Sequence, residues 1–121
     1  MNTYAKEAKA RWGKTEAYRQ SEERTKNWTE ADYQRLKEAG DKWMKNFASQ
    51  MSHGPKSAII QKLIAEHYDN LRTFYEPNLE LYRGLANMYV DDPRFTKYFE
   101  KYAKGLSVFM KDAMLEYCDK N

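Results

Sequence analysis

Residues that break helices are rare and well separated in this chain: five glycines (Gly13, Gly40, Gly54, Gly84, Gly105) and three prolines (Pro55, Pro77, Pro93) in 121 residues. Between them no stretch alternates apolar and polar residues with the period of a strand, so the sequence predicts an all-α fold with short connections. The length suits one domain with one modest core.

The stops place seven helices. A first runs from about Tyr4 to Trp12 and ends at Gly13, and Thr15 starts a second that reaches about Asn27. Thr29 and Asp32 resemble a capping box and open a third, with apolar positions Tyr33, Leu36, Trp43, Met44, Phe47 and Met51, which ends at Gly54 before Pro55. The fourth, Ser57 to Thr73, has the clearest apolar face: Ile60, Leu63, Ile64, His67 and Leu71. Asn78 caps a fifth that carries Leu81, Tyr82, Leu85, Met88 and Tyr89. Asp92 and Pro93 open a sixth with Phe95, Tyr98, Phe99 and Tyr102 inward, and Gly105 separates it from a seventh with Leu106, Phe109, Met110, Ala113, Met114 and Tyr117. The single domain, residues 1–121, divides near residue 54 into an N-terminal arm ending in one well-packed helix (1–54) and a compact four-helix part (55–121).

The arm poses a question. In RWGKTEAYRQSEERTKNW, residues 11–28, the rings Trp12, Tyr18 and Trp28 stand among charged and polar residues that cannot hold a helix to a core. Such rings are either exposed or covered by something else.

Several function classes fall away. Basic residues interleave with acidic ones at helical spacing, as in Glu22 with Lys26, which describes a solvated face rather than a nucleic-acid stripe. The lone cysteine, Cys118, excludes an internal disulfide, and with no signal peptide and no long apolar run the sequence points to the cytoplasm and away from a membrane. His53 and His67 fall on different helices with no ligand-spaced acid or thiol, so no metal and no cofactor is expected. No nucleophile elbow, Cys and His signature or glycine-rich phosphate loop occurs, and the chain does not read as an enzyme.

Two motifs carry a resemblance: WGKTEAYRQSEER (Trp12 to Arg24) and GLANMYVDDPRF (Gly84 to Phe95). With them nearly the whole chain resembles the TipAS antibiotic-recognition domain, the C-terminal effector domain of thiostrepton-induced, MerR-family transcription activators. The resemblance implies a globin-like helical bundle with a mobile N-terminal helical lid, and a hydrophobic cleft that binds peptide-type or other large amphipathic antibiotics. On that reading Trp12, Tyr18 and Trp28 are lid rings, Trp43, Met44 and Phe47 the wall beneath, and His67, Phe74, Tyr75, Tyr82 and Tyr89 the cleft. The antibiotic-trapping type carries a cysteine between its fourth and fifth helices, where this sequence has Glu76, Pro77 and Asn78, so binding is expected to be reversible. DNA would be reached only through a helix-turn-helix domain absent from this chain, with dimerisation in the full-length regulator. The alternatives are a stand-alone antibiotic-sequestering resistance protein and a small helical protein-interaction module.

Overall fold

The computed structural model describes residues 15–121. Six helices are present among them: α1 (Glu16–Thr25), α2 (Glu30–Ser49), α3 (Ala58–Asn70), α4 (Leu79–Asp91), α5 (Pro93–Glu100) and α6 (Leu106–Lys120), with 3-10 turns at Met51–His53 and Leu71–Thr73. The described residues contain no strand, and the expected all-α, globin-like helical fold is the one observed. The expected helix from Tyr4 to Trp12, and Trp12 with it, lies outside the described residues.

Helix starts follow local chemistry. Thr15 Oγ1 accepts from the Tyr18 amide at 3.2 Å, and Thr29 and Asp32 cap each other reciprocally. Ser57 and Asn78 accept from the amides of Ile60 and Leu81, and Pro93 occupies the first turn of α5. Each bond satisfies an amide that has no partner within its own helix. The ends differ from expectation by a turn: α2 stops at Ser49 and α3 at Asn70, each followed by a tighter 3-10 turn. After α2 the chain must reach Gly54, whose φ of 91° is open to glycine and costly to other residues.

The core forms around α6, which buries Leu106, Met110, Ala113 and Met114 completely. Its most extensive pairing is with α4, which contributes Tyr82 and Ala86. Ile60 and Ile64 of α3, Met44 and Phe47 of α2 and Phe99 of α5 complete the cluster. Burial of this apolar surface, at roughly 25 cal/mol per Å², is what holds the helices in place.

The N-terminal elements are held differently. Only the C-terminal half of α2 reaches the core; before Asp41 its large side chains Tyr33 and Leu36 are 49% and 37% exposed. α1 buries no residue. It is attached by polar contacts to the connection between α3 and α4: Arg24 Nη1 donates to the Arg72 carbonyl at 2.6 Å, and Gln20 Oε1 accepts from the Glu76 amide at 2.7 Å. Among the described residues no helix is long and apolar enough to cross a membrane.

Candidate functional site

A cavity of about 370 Å³ opens where four helices meet, lined by Met44 of α2, His67 of α3, Tyr89 of α4 and Arg94, Phe95, Tyr98 and Phe99 of α5. Its shape begins with Asp92, which ends α4 and caps α5, so the two helices turn on one another with no linker between them. Thr96 Oγ1 fixes the turn by donating to the Tyr89 carbonyl at 3.1 Å. The rings then converge: Tyr89 lies 5.4 Å from Phe95 and 4.8 Å from Phe99, and Tyr98 stands edge-on to Phe99 at 5.4 Å. Offset and edge contacts of this kind suit aromatic quadrupoles.

The wall carries little net charge. Arg94 binds the Asp92 carboxylate through Nε at 3.1 Å and Nη2 at 2.7 Å. His67 is neutral: burial pushes its pKa down to about 4. Its Nδ1 lies 2.8 Å from the Tyr82 hydroxyl, and burial pushes the Tyr82 phenol far above its ordinary range. Behind His67 stand Trp43, 5.2 Å away ring to ring, and Phe47, stacked on Trp43 at 4.8 Å. Trp43 Nε1 is sealed in this layer with no hydrogen-bond partner.

Of the residues singled out in the sequence, the structure therefore brings Met44, His67 and Tyr89 into one cavity. Trp43, Phe47 and Tyr82 form the layer behind it, with Phe47 and Tyr82 fully buried. Trp28 and Phe74 belong to a separate ring cluster, 5.8 Å from each other, with Tyr33 5.1 Å from Trp28. Tyr18 is half-buried on α1 and Tyr75 half-buried beside Phe74, where burial pushes its phenol up. The sequence reading assigned Arg94, Phe95, Tyr98 and Phe99 no ligand role. A signal was available: α5 has eight residues and three rings, more than a helix of that size can bury, and only Phe99 is buried.

His53 is exposed at the end of its 3-10 turn. Among the described residues no three His, Cys, Asp or Glu side chains stand together as metal ligands. Cys118 is buried with its thiol 3.6 Å from the Leu79 carbonyl, and burial raises its pKa.

The fold and this site define a small all-α domain organised around an aromatic cavity. The chain belongs to the TipAS antibiotic-recognition domain family, whose model matches residues 4–117. It is 33% identical over 120 residues to the HTH-type transcriptional activator mta of Bacillus subtilis, covering 98% of this chain and 46% of that protein. It is 35% identical over 115 residues to the HTH-type transcriptional activator TipA of Streptomyces coelicolor, covering 93% and 46%. The chain thus spans about half the length of these curated relatives. Among solved structures it matches TipAS from Streptomyces lividans in complex with nosiheptide, part of a thiopeptide antibiotic multidrug resistance system. The TM-score is 0.86 at 32% identity, over 97% of this chain and 84% of that one.

Proposed function

We propose that this chain binds large amphipathic or peptide antibiotics reversibly in the aromatic cavity, as the drug-sensing domain of a MerR-type transcription activator. The observation that carries the reading is the cavity itself, a space walled by rings from three helices and by Met44 of a fourth, with its one arginine held by a carboxylate, on a fold that superposes closely on a nosiheptide-binding relative. A thiopeptide is larger than 370 Å³, so it would place one ring system in the cavity and lay the rest across neighbouring elements. The arm containing α1 is suited to that cover. α1 itself buries no residue and is held by polar contacts, so a bound third body would supply its apolar cover.

Reversibility follows from the sole cysteine, Cys118, lying buried under the start of α4 and not in the cavity wall. DNA contact and dimerisation are assigned to parts of the full-length regulator beyond this chain, and no catalysis is assigned to it. Trp43 contacts His67, so indole fluorescence reports on the cavity. Titration with nosiheptide is expected to change that fluorescence saturably in the micromolar range and to return the antibiotic unaltered. A flat titration up to the solubility limit would dispose of the reading.

Exposed Tyr33 and Leu36 on the free half of α2 favour a second reading, a helical interaction module. Self-association that rises with concentration and ignores nosiheptide would select it.

A further inference from the structure

His67 is the one cavity-lining side chain on α3, the helix whose Ile60 and Ile64 are fully buried, and its ring is bonded on one side only. The Tyr82 hydroxyl has a single proton and two acceptors in reach: His67 Nδ1 at 2.8 Å and the Ile64 carbonyl at 3.5 Å. The second distance is outside the normal range for a hydroxyl donor, and Ile64 lies within α3, where its carbonyl already serves the helix. The proton therefore goes to Nδ1. A neutral imidazole that accepts at Nδ1 must hold its own hydrogen on Nε2. Nε2 has no partner among the described residues, and Trp43 Nε1 is the only sealed and unpartnered side-chain nitrogen or oxygen among them. His67 Nε2–H is thus open to the cavity.

The wall holds three other side-chain donors, the Arg94 guanidinium, which is engaged by Asp92, and the phenols of Tyr89 and Tyr98; Met44, Phe95 and Phe99 have no N–H or O–H in their side chains. The His67 N–H is fixed in direction by a ring that Tyr82 anchors from its other side, whereas a phenol hydrogen turns about its C–O bond. We infer that His67 is a specificity-determining residue: its Nε2–H selects a ring system bearing an uncharged hydrogen-bond acceptor, an azole or azine nitrogen or an amide carbonyl, over a purely apolar ring. This rests on the cavity being a ligand site, and it deepens that reading by naming the group the cavity takes. A site that offers a buried donor discriminates against a ligand that leaves the donor unpaired.

The test uses quinoxaline and naphthalene, fused bicyclic probes of one outline of which only quinoxaline carries acceptor nitrogens. Their affinities are measured by NMR titration of the full chain and of His67→Phe and His67→Gln. The quinoxaline-to-naphthalene affinity ratio is expected to fall about threefold to tenfold in His67→Phe and to be kept in His67→Gln, which retains a donor. Equal ratios in the parent chain and His67→Phe would overturn the inference, as would absence of quinoxaline binding. A readout that needs no variant is the long-range proton–nitrogen correlation of the His67 ring at pH 7. It is expected to show bare Nδ1 and protonated Nε2; the opposite tautomer or a doubly protonated ring overturns the inference. Failure of nosiheptide alone to bind would count against the antibiotic reading and leave both of these readouts decisive.

Discussion

The Tyr102 hydroxyl donates to Asp41 Oδ1 at 2.7 Å, joining the turn after α5 to the middle of α2, and Asp41 also pairs with Lys45 at 2.9 Å. Asp41 marks the point where α2 changes character. The residues just before it, 33 to 40, are exposed, and Met44 and Phe47 after it are buried. The hydrogen bond from Tyr102, then that from Lys45, holds the Asp41 carboxyl below its usual range, and the same contact with Asp41 pushes the Tyr102 phenol up.

Tyr102→Phe is therefore expected to loosen α2 locally. A bond so open to water adds little to global stability, and the melting temperature should fall by a few degrees at most. Amide exchange across residues 41–49 should quicken while α4 and α6 keep their protection. For a carboxylate of depressed pKa, the stabilisation is present above the ordinary carboxylate value and is lost as pH falls through the lowered one. Acid should reproduce the variant's pattern in the parent chain. Unchanged exchange in residues 41–49 would show that the pair does not restrain the helix.

His67 gives a pH dependence of opposite origin. Its folded pKa of about 4 lies below the ordinary 6.5, so above pH 6.5 both folded and unfolded chains are neutral there and nothing is lost. As pH falls below 6.5 the unfolded chain takes up a proton that the folded one refuses, and stability declines until about pH 4. Between pH 7 and pH 5 the loss is about 2 kcal/mol. Urea denaturation at the two pH values should give that decline in the parent chain and a smaller one in His67→Gln. Parallel declines would place His67 in a wetter setting than its burial implies.

Helix starts were legible because caps are local: Thr29 with Asp32, Ser57, Asn78 and Asp92 with Pro93 each act within three residues. The weakness of α1 was equally readable from its lack of an apolar face. Depth was not. Tyr82 and Tyr89 share one helix at helical spacing, yet Tyr82 is fully buried and Tyr89 lines the cavity, because α6 covers one end of α4 and α5 turns back over the other. Periodicity tells which face points inward and leaves open whether that face meets another helix or a void. The His67–Tyr82 bond spans two helices and depends on how they cross, which no local pattern encodes. In α5 the periodicity put Phe95, Tyr98, Phe99 and Tyr102 inward alike, yet Phe99 is buried and Tyr98 is left on the cavity rim.

The start of α6 offers a backbone test. Gly105 has φ 81°, and its amide and that of Ser107 donate to the Glu100 carboxylate at 2.7 and 3.0 Å. These backbone bonds, Ser107 first and then Gly105, hold the Glu100 carboxyl below its usual range. Gly105→Ala has open space for the methyl group, so its cost is conformational, roughly 1–2 kcal/mol. Chemical denaturation should report that loss, with the ligand cavity unaffected. A neutral result would mean the turn relaxes away from the left-handed region.

Phe47 and Tyr98 separate the core from the cavity. Phe47 has no exposed surface, stacks on Trp43 and meets Phe109 edge-on at 5.5 Å. Phe47→Ala removes a ring from close-packed surroundings and should cost about 3–5 kcal/mol of stability. Tyr98 is 40% exposed on the cavity rim, resting on Phe99 and Tyr102. Tyr98→Ala should leave stability within about 1 kcal/mol of the parent while weakening nosiheptide binding about tenfold, the scale of one lost aromatic contact. Paired denaturation and fluorescence titrations distinguish the two. If Tyr98→Ala bound nosiheptide as tightly as the parent chain, α5 would be removed from the binding surface, and the ring cluster of Trp28, Tyr33 and Phe74 would become the place to seek the contact.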